Sequence, residues 1–478
     1  MDTASFKFLA FGLGVALVTN FNHSRTWRSS VLFAASIVFL ALLSKNPILL
    51  IPLFGFLAFG YLALVLLQRG WSKASVWSIL VVLSGYTWLK KYSFLPESTF
   101  IHWPYLTLGL SYIFFRVLHL IIEAGDGAEK RRIGPLAYLL YTLNFTTFVS
   151  GPIQRYDEFA LDQFAPEPIP LGPRVIGLQM ERIVRGFFKV NVLATLLHTA
   201  HEDVLAQMSQ PLSGSVKLVA ACELILVYPL FLYANFSGYI DIVIALARLM
   251  RLRLPENFDR PFAATSVLEF WNRWHITLSN WFKSYVYNPL LLALMRRISS
   301  TKAEPFFGVF CFFVTFFLVG VWHGRSSEFL VFGALTGAGI SINKLWQLEL
   351  TRALGRKGYK ELAKNDLYKS AGRGLTFGWF GFTLFWFWGD WKQLDRVFPS
   401  LGVAQWVSVG IMTWLCAAAA LALWEGLRSL LGSAVTANGP MFANRYALVV
   451  YASAMGLTAL VMTFLLNQPA PGIVYKAF

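Results

Sequence analysis

Charge is what this sequence has least of. Only 14% of its 478 residues are Asp, Glu, Lys or Arg, against about a quarter in ordinary soluble domains. The chain is instead 56% hydrophobic and 16% aromatic. So little polar surface cannot wet the outside of a protein this long, which excludes an ordinary cytosolic enzyme and a disordered tail. An integral membrane protein remains. Cysteine is scarce too: Cys222, Cys311 and Cys416 sit singly in apolar runs. No two have the spacing of metal ligands, and three cannot all pair with one another. A secreted disulfide scaffold is therefore excluded, no metal site is expected, and all three read as small buried side chains. No internal repeat is evident, which argues against a transporter assembled from duplicated halves.

Acidic residues are the scarcer sign, with 25 Asp and Glu against 41 Lys and Arg for a net charge of +16. The basic residues fall in short groups between apolar segments, such as Arg25/Arg28, Lys90/Lys91, Arg248/Arg251/Arg253 and Arg296/Arg297. That placement points to membrane lipid rather than nucleic acid, because Lys and Arg beside spans orient a polytopic chain with the excess toward the cytoplasm. The most basic stretch carries Arg352, Arg356, Lys357, Lys360, Lys364, Lys369 and Arg373 and reads as a cytoplasmic loop.

A helix crosses a hydrocarbon core of about 30 Å with about 20 apolar residues. Apolar runs recur from 6–21 to 445–467, and the neighbours 216–234 and 236–250 are candidates for one broken helix. Together they predict about eleven to fourteen membrane-embedded helices, some re-entrant or interfacial. The runs are continuous instead of alternating, which excludes a β-barrel. The expected fold is an all-α, polytopic helical bundle forming one membrane-embedded domain over 1–478. The run 6–18 has only Lys7 as a positive charge and no small-residue cleavage pattern after it, so it reads as a retained span and not a signal peptide. Pro166, Pro168, Pro170 and Pro173 make the stretch 166–173 an extended loop.

Several polar stretches interrupt the apolar runs. Leu268–Tyr285, placed on a helix, puts Trp271, Trp274, His275, Leu278, Phe282 and Tyr285 on one face. It is too polar to cross lipid alone, and its histidine serves either chemistry or a hydrogen bond within the bundle. His323 ends the run Phe316–Gly324 beside Trp322, where a low dielectric favours the neutral imidazole able to accept a proton. Gly320 and Gly324 leave one face of that run without side chains, open to another backbone. Asn235, Ser237, Tyr239 and Asp241 sit in an apolar region with Gly238 permitting a break or close contact, and Gln154 and Arg155 follow a Gly-Pro turn. Read singly, these are a helix kink and an interfacial turn. His198 and His201, with Glu202 and Asp203, read as a solvated interfacial cluster and not as metal ligands. His23, His102 and His119 have no local constellation and receive no role.

The order of these pieces is informative. Gly151–Tyr156 (GPIQRY), Asn235–Asp241 (NFSGYID), Pro255–Phe258 (PENF), Glu269–Phe282 (EFWNRWHITLSNWF) and Gly320–Gly324 (GVWHG) together resemble the membrane-bound O-acyltransferase family. Within it they lean toward the bacterial envelope branch that D-alanylates lipoteichoic acid or acetylates alginate. The motif-bearing core spans about 105–346.

The resemblance implies acyl transfer from a thioester to a hydroxyl. His323 is then the general base, and His275 orients the acceptor or donates to the developing oxyanion. Asn272, Arg273, Tyr239, Asp241, Ser237, Trp322 and Arg155 are the expected substrate-binding residues. A central passage would let a cytoplasmic donor meet an extracytoplasmic acceptor. No tightly bound cofactor is expected. The implied donor is acyl-CoA or a phosphopantetheine-linked acyl carrier protein, and the acceptor a polysaccharide, a teichoic-acid-like polymer or an extracytoplasmic partner protein that relays the group. The implied location is the inner (plasma) membrane. A different class of function, a proton-coupled transporter or precursor flippase, would use Asp241, His275 and His323 as a proton relay. A non-catalytic subunit of a polysaccharide machine would leave both histidines structural.

Overall fold

A computed structural model gives the fold and describes residues 5–44, 46–100, 105, 107–127, 132–211, 213–300, 302–437, 445–466 and 471–472. His102 lies outside them. The described residues are mostly helical, with one isolated β-bridge and no strand among them. Among the described residues, six helices are long and apolar enough to cross a membrane: Arg25–Leu43, Pro47–Gln68, Gly214–Leu249, Glu304–His323, Glu328–Leu362 and Val403–Leu430. Phe6–Thr19 and Val449–Val461 are shorter apolar helices. The chain is a multi-pass membrane protein. Only 17% of the most apolar stretch of Val403–Leu430 is buried, as expected of a helix that turns its side chains to lipid. Cys416 lies on that helix and is exposed, which corrects the expectation of three buried thiols, while Cys222 and Cys311 are buried.

The apolar runs 216–234 and 236–250 are one helix, Gly214–Leu249, continuous through Pro229 and Gly238. The run at 135–150 is helical only over Pro135–Thr142. The basic stretch expected as a loop is mostly helix, on Glu328–Leu362 and Asp366–Thr383. Arg and Lys are good helix formers, and pairs three residues apart hold them: Arg352–Glu349 at 2.8 Å, Lys364–Glu361 at 2.8 Å and Lys369–Asp366 at 3.0 Å.

The chain divides into two compact units. The first draws on Met1–Phe187, Phe236–Glu256 and Gly472–Phe478, the second on Phe188–Asn235 and Asn257–Pro471. In the first, Ser5 and Ser24 cap the opening helices by accepting from Phe8 N and Trp27 N. Their apolar faces meet in a cluster of Phe8, Phe39, Phe145 and Phe148, with ring centroids 5.9–6.5 Å apart among the contacting pairs. Beyond Thr142 the backbone is irregular yet buried. Carbonyls there would be costly in an apolar interior without donors. Arg116, buried on Leu110–Gly125, supplies them: its Nη1 donates to the carbonyls of Tyr141 at 3.1 Å and Thr142 at 2.9 Å, and its Nη2 to that of Thr147. The Pro173–Phe188 helix is tied to Gly214–Leu249 by Arg182, whose Nε donates to Asp241 Oδ1 at 2.9 Å. Gly186 makes close contact with the Gly238 carbonyl at the same place.

In the second unit, Glu304–His323 and Glu328–Leu362 pack along one another. A Cβ on Gly320 would stand 2.1 Å from Gly333 Cα, so the two backbones touch. Farther along, the Ser341 hydroxyl donates to the Val309 carbonyl at 2.9 Å. A second core gathers Ile225, Phe385, Leu394, Val397 and Val409. His201, expected in solvent, is buried with its ring 4.7 Å from Trp388 and 5.0 Å from Tyr228, centroid to centroid. His198 is half-buried with its ring 5.0 Å from that of Phe231, and Glu202 and Asp203 are the members of the cluster that stay exposed.

Candidate active site

The stretch Leu268–Tyr285 is not one helix. Val267–Trp271 starts at Ser266, whose hydroxyl accepts from Glu269 N at 3.2 Å, and it stops at Asn272. A second helix, Ile276–Phe282, begins after His275. His275 itself is left-handed, with φ 44° and ψ 52°, a conformation uncommon for any residue but glycine. Backbone pairing with residues 257–259 holds it. Phe258 and Trp274 form the isolated antiparallel bridge. Asp259 N donates to the Arg273 carbonyl at 3.0 Å, and Ile276 N to the Asn257 carbonyl at 3.0 Å. The PENF stretch is thus the clamp that bends the chain at its histidine.

Asn257 also fixes the imidazole. Its Oδ1 accepts from Thr277 N at 3.1 Å and Thr277 Oγ1 at 2.8 Å, and it lies 3.3 Å from His275 Nδ1. A backbone N–H can only donate, so the atom it meets is an oxygen acceptor, and Nδ1 must carry the proton it shares with that oxygen. The neutral ring then has its lone pair on Nε2. Both Asn257 and His275 are fully buried.

His323 occupies the last turn of Glu304–His323, also buried. Trp322 lies between the two histidines in the contact order: its ring is 6.4 Å from that of His275 and 4.8 Å from that of His323, both edge-on. Phe332 and Phe387 wall His323 at 5.8 Å and 5.4 Å. Three residues expected from sequence, His275, Trp322 and His323, therefore form one aromatic-walled cluster.

The other expected residues are placed differently. Asn272 is exposed, and Arg273 is half-buried with its guanidinium 2.9 Å from Glu269 and 3.8 Å from Asp259. Ser237, Tyr239, Asp241 and Arg155 belong to the first unit. There Tyr239 and Ser237 are buried, Arg155 is exposed, and Asp241 is paired with Arg182 at 2.9 Å and Arg185 at 3.6 Å. Arg182 also grips Glu256 through both Nη atoms, at 2.7 Å and 2.6 Å. Sequence reasoning named the motif of Asn257 but gave that residue no part. The one signal was its place beside Glu256, as one of the two polar side chains of that motif. His119, likewise given no role, is buried; its Nε2 accepts from Tyr156 N at 3.2 Å and its Nδ1 stands 3.3 Å from Glu123, which anchors the end of GPIQRY.

A multi-pass helical chain with two motif histidines on one buried tryptophan has its counterpart among known proteins. The profile of the membrane-bound O-acyltransferase family matches residues 40–353, and the chain belongs to that family. It is similar to the teichoic acid D-alanyltransferase of Streptococcus thermophilus, at 31% identity over 278 residues, covering 56% of this chain and 65% of that protein. The teichoic acid D-alanyltransferase of Bacillus subtilis is 31% identical over 229 residues, covering 47% of this chain and 56% of that protein. The probable alginate O-acetylase AlgI of Azotobacter vinelandii is 27% identical over 346 residues, covering 72% of this chain and 65% of that protein. The chain thus spans less than two thirds of the length of each of these relatives.

Proposed function

We propose that this protein is an inner-membrane O-acyltransferase that moves a D-alanyl or acetyl group from a cytoplasmic thioester to a hydroxyl on an envelope polymer or a relay protein. The observation that carries the reading is the shared contact of His275 and His323 with Trp322 in a chain of this family. The donor in this reading is acyl-CoA or an acyl carrier protein bearing a phosphopantetheine arm. The acceptor is a polysaccharide or teichoic-acid-like chain, and a passage through the protein joins the two sides.

A neutral alcohol attacks a thioester slowly, so the step needs a base at the moment the bond forms. His323 takes the hydroxyl proton as oxygen adds to the acyl carbon. The carbon–sulfur bond then breaks, and the imidazolium returns the proton to the leaving thiolate. The tautomer set by Asn257 supports one of the two roles foreseen for His275. With its lone pair on Nε2, the ring accepts a hydrogen bond from the incoming hydroxyl and orients it; a neutral ring in this state has no proton there for an oxyanion.

In the transporter reading, Asp241 would pass protons to the histidines. Its ion pairs with Arg182 and Arg185 speak against that, because they commit the carboxylate to two guanidinium partners. Reconstituted vesicles separate the readings. With an acyl thioester outside and an acceptor polymer inside, new ester supports the transferase, whereas movement of an intact solute without ester supports the transporter.

A further inference from the structure

We propose that the second unit carries a binding site for the phosphate headgroup of an anionic phospholipid, in a groove of about 690 Å³ where Glu304–His323 meets Glu328–Leu362. Lys344, Arg352 and Arg356 line it, with Gln347 between them and Phe306 and Leu348 as its apolar side. Among the described residues, no acidic side chain lines it. Arg352 is shared with Glu349 at 2.8 Å, while neither Lys344 nor Arg356 has an ion pair among the described residues. Guanidinium and ammonium groups converging from one helix are the chemistry that holds a phosphate.

The register of the two helices places this groove at the edge of the bilayer. Gly320 meets Gly333, Gly337 lies beside Phe313, and Ser341 bonds to Val309, so each step back along the first helix is a step forward along the second. Continued at the same rate, that pairing brings Pro305 and Phe306, at the very start of a spanning helix, level with Lys344–Leu348. The spanning helix starting there has 20 residues, about the 30 Å of a hydrocarbon core, so its first turn stands at the water boundary. Trp346 supports the same level independently: it is 55% exposed and donates through Nε1 to the Tyr368 hydroxyl at 3.3 Å, an aromatic pair of the kind found at headgroups. Past this point the backbone leaves helical geometry at Gly355, with φ 71° and ψ 165°. Arg352 and Arg356, on either side of that kink, both line the groove. Cations at headgroup depth beside exposed Phe306 fit a lipid that presents phosphate and acyl chain together. The inference is independent of the acyl-transfer reading.

The test uses the full-length protein extracted from mixed vesicles of phosphatidylglycerol and phosphatidylcholine, with retained lipid counted by native mass spectrometry. Wild type is expected to keep phosphatidylglycerol in preference to phosphatidylcholine. The double variant Lys344→Gln/Arg356→Gln should lose that retention roughly 30-fold, at about 1 kcal/mol for each of the two basic residues near the surface. The charge-keeping variant Lys344→Arg/Arg356→Lys should hold it. Lys357→Gln/Lys360→Gln removes the same charge from the same helix outside the groove and should change retention little. Unchanged retention in the first variant, or an equal loss in the last, overturns the site. In a further arm, inorganic phosphate is added to the lipid-loaded protein. Full release of the retained phosphatidylglycerol by inorganic phosphate would make this a free-phosphate site and overturn the lipid assignment.

Discussion

Asn257 Oδ1 lies 3.3 Å from His275 Nδ1 while accepting two hydrogen bonds from Thr277. One buried amide therefore sets the tautomer of the ring and receives the first turn of the helix that follows it. Replacing Asn257 by Ala should lower acyl transfer about 100-fold, the scale of a mispositioned acid–base group. The loss should fall mainly on kcat and persist at every pH. Asn257→Asp keeps the acceptors but adds a negative charge that favours the imidazolium. Its activity should approach wild type at alkaline pH and fall away on acidification. A pH–rate profile of Asn257→Asp identical in shape to wild type would contradict this role.

The contact of Gly320 with Gly333 positions the helix that ends in His323. Gly320→Ala places a methyl carbon 2.1 Å from a backbone atom that cannot swing aside. Overpacking of this kind costs about 1–3 kcal/mol, and transfer should fall along with thermal stability. Gly14→Ala is the control, since a Cβ there meets nothing within 4 Å. In a helix interior it should be neutral or stabilising. Melting curves of both variants in one detergent check the pair; equal midpoints would show that the close approach carries no constraint.

These features divide by how local their causes are. The spanning helices are visible as apolar runs because the bilayer demands a length that any window of sequence reveals. The GVWHG and EFWNRWH motifs point to His323 and His275 for a similar reason. The break at His275 is invisible to periodicity. Its cause lies in the Phe258–Trp274 bridge and the Asn257 side chain, which an amphipathic pattern does not register. The polar stretch at Asn235 and Gly238 reads as a break between two apolar runs, yet Gly214–Leu249 runs through it and through Pro229, as membrane-embedded helices allow when neighbours satisfy the freed carbonyl. His201 misleads for the opposite reason. Its polar neighbours Glu202 and Asp203 advertise solvent, and the ring that buries it, Trp388, arrives from far along the chain.

That burial has a consequence for stability. His201, on Thr195–Met208 outside the spanning helices, has its pKa pushed by burial from 6.5 down to about 4. The folded protein resists taking up a proton that the unfolded chain accepts. Stability is therefore full above 6.5 and falls as pH drops toward 4, by about 2 kcal/mol at pH 5. His201→Phe should remove this slope. Thermal midpoints at pH 7.5 and pH 5 should differ less in the variant than in wild type; an unchanged difference would assign the acid sensitivity elsewhere.

The central claim is that His323 performs the proton transfer that makes an ester. The most direct measurement is mass spectrometry of ester-linked groups on envelope polymers from cells carrying wild type or His323→Ala at equal membrane levels. Ester in the variant should fall to the level of cells lacking the protein, while its thermal midpoint in detergent stays near wild type. The mass of the lost group also identifies it as D-alanyl or acetyl. Wild-type ester content in the His323→Ala cells would contradict the account.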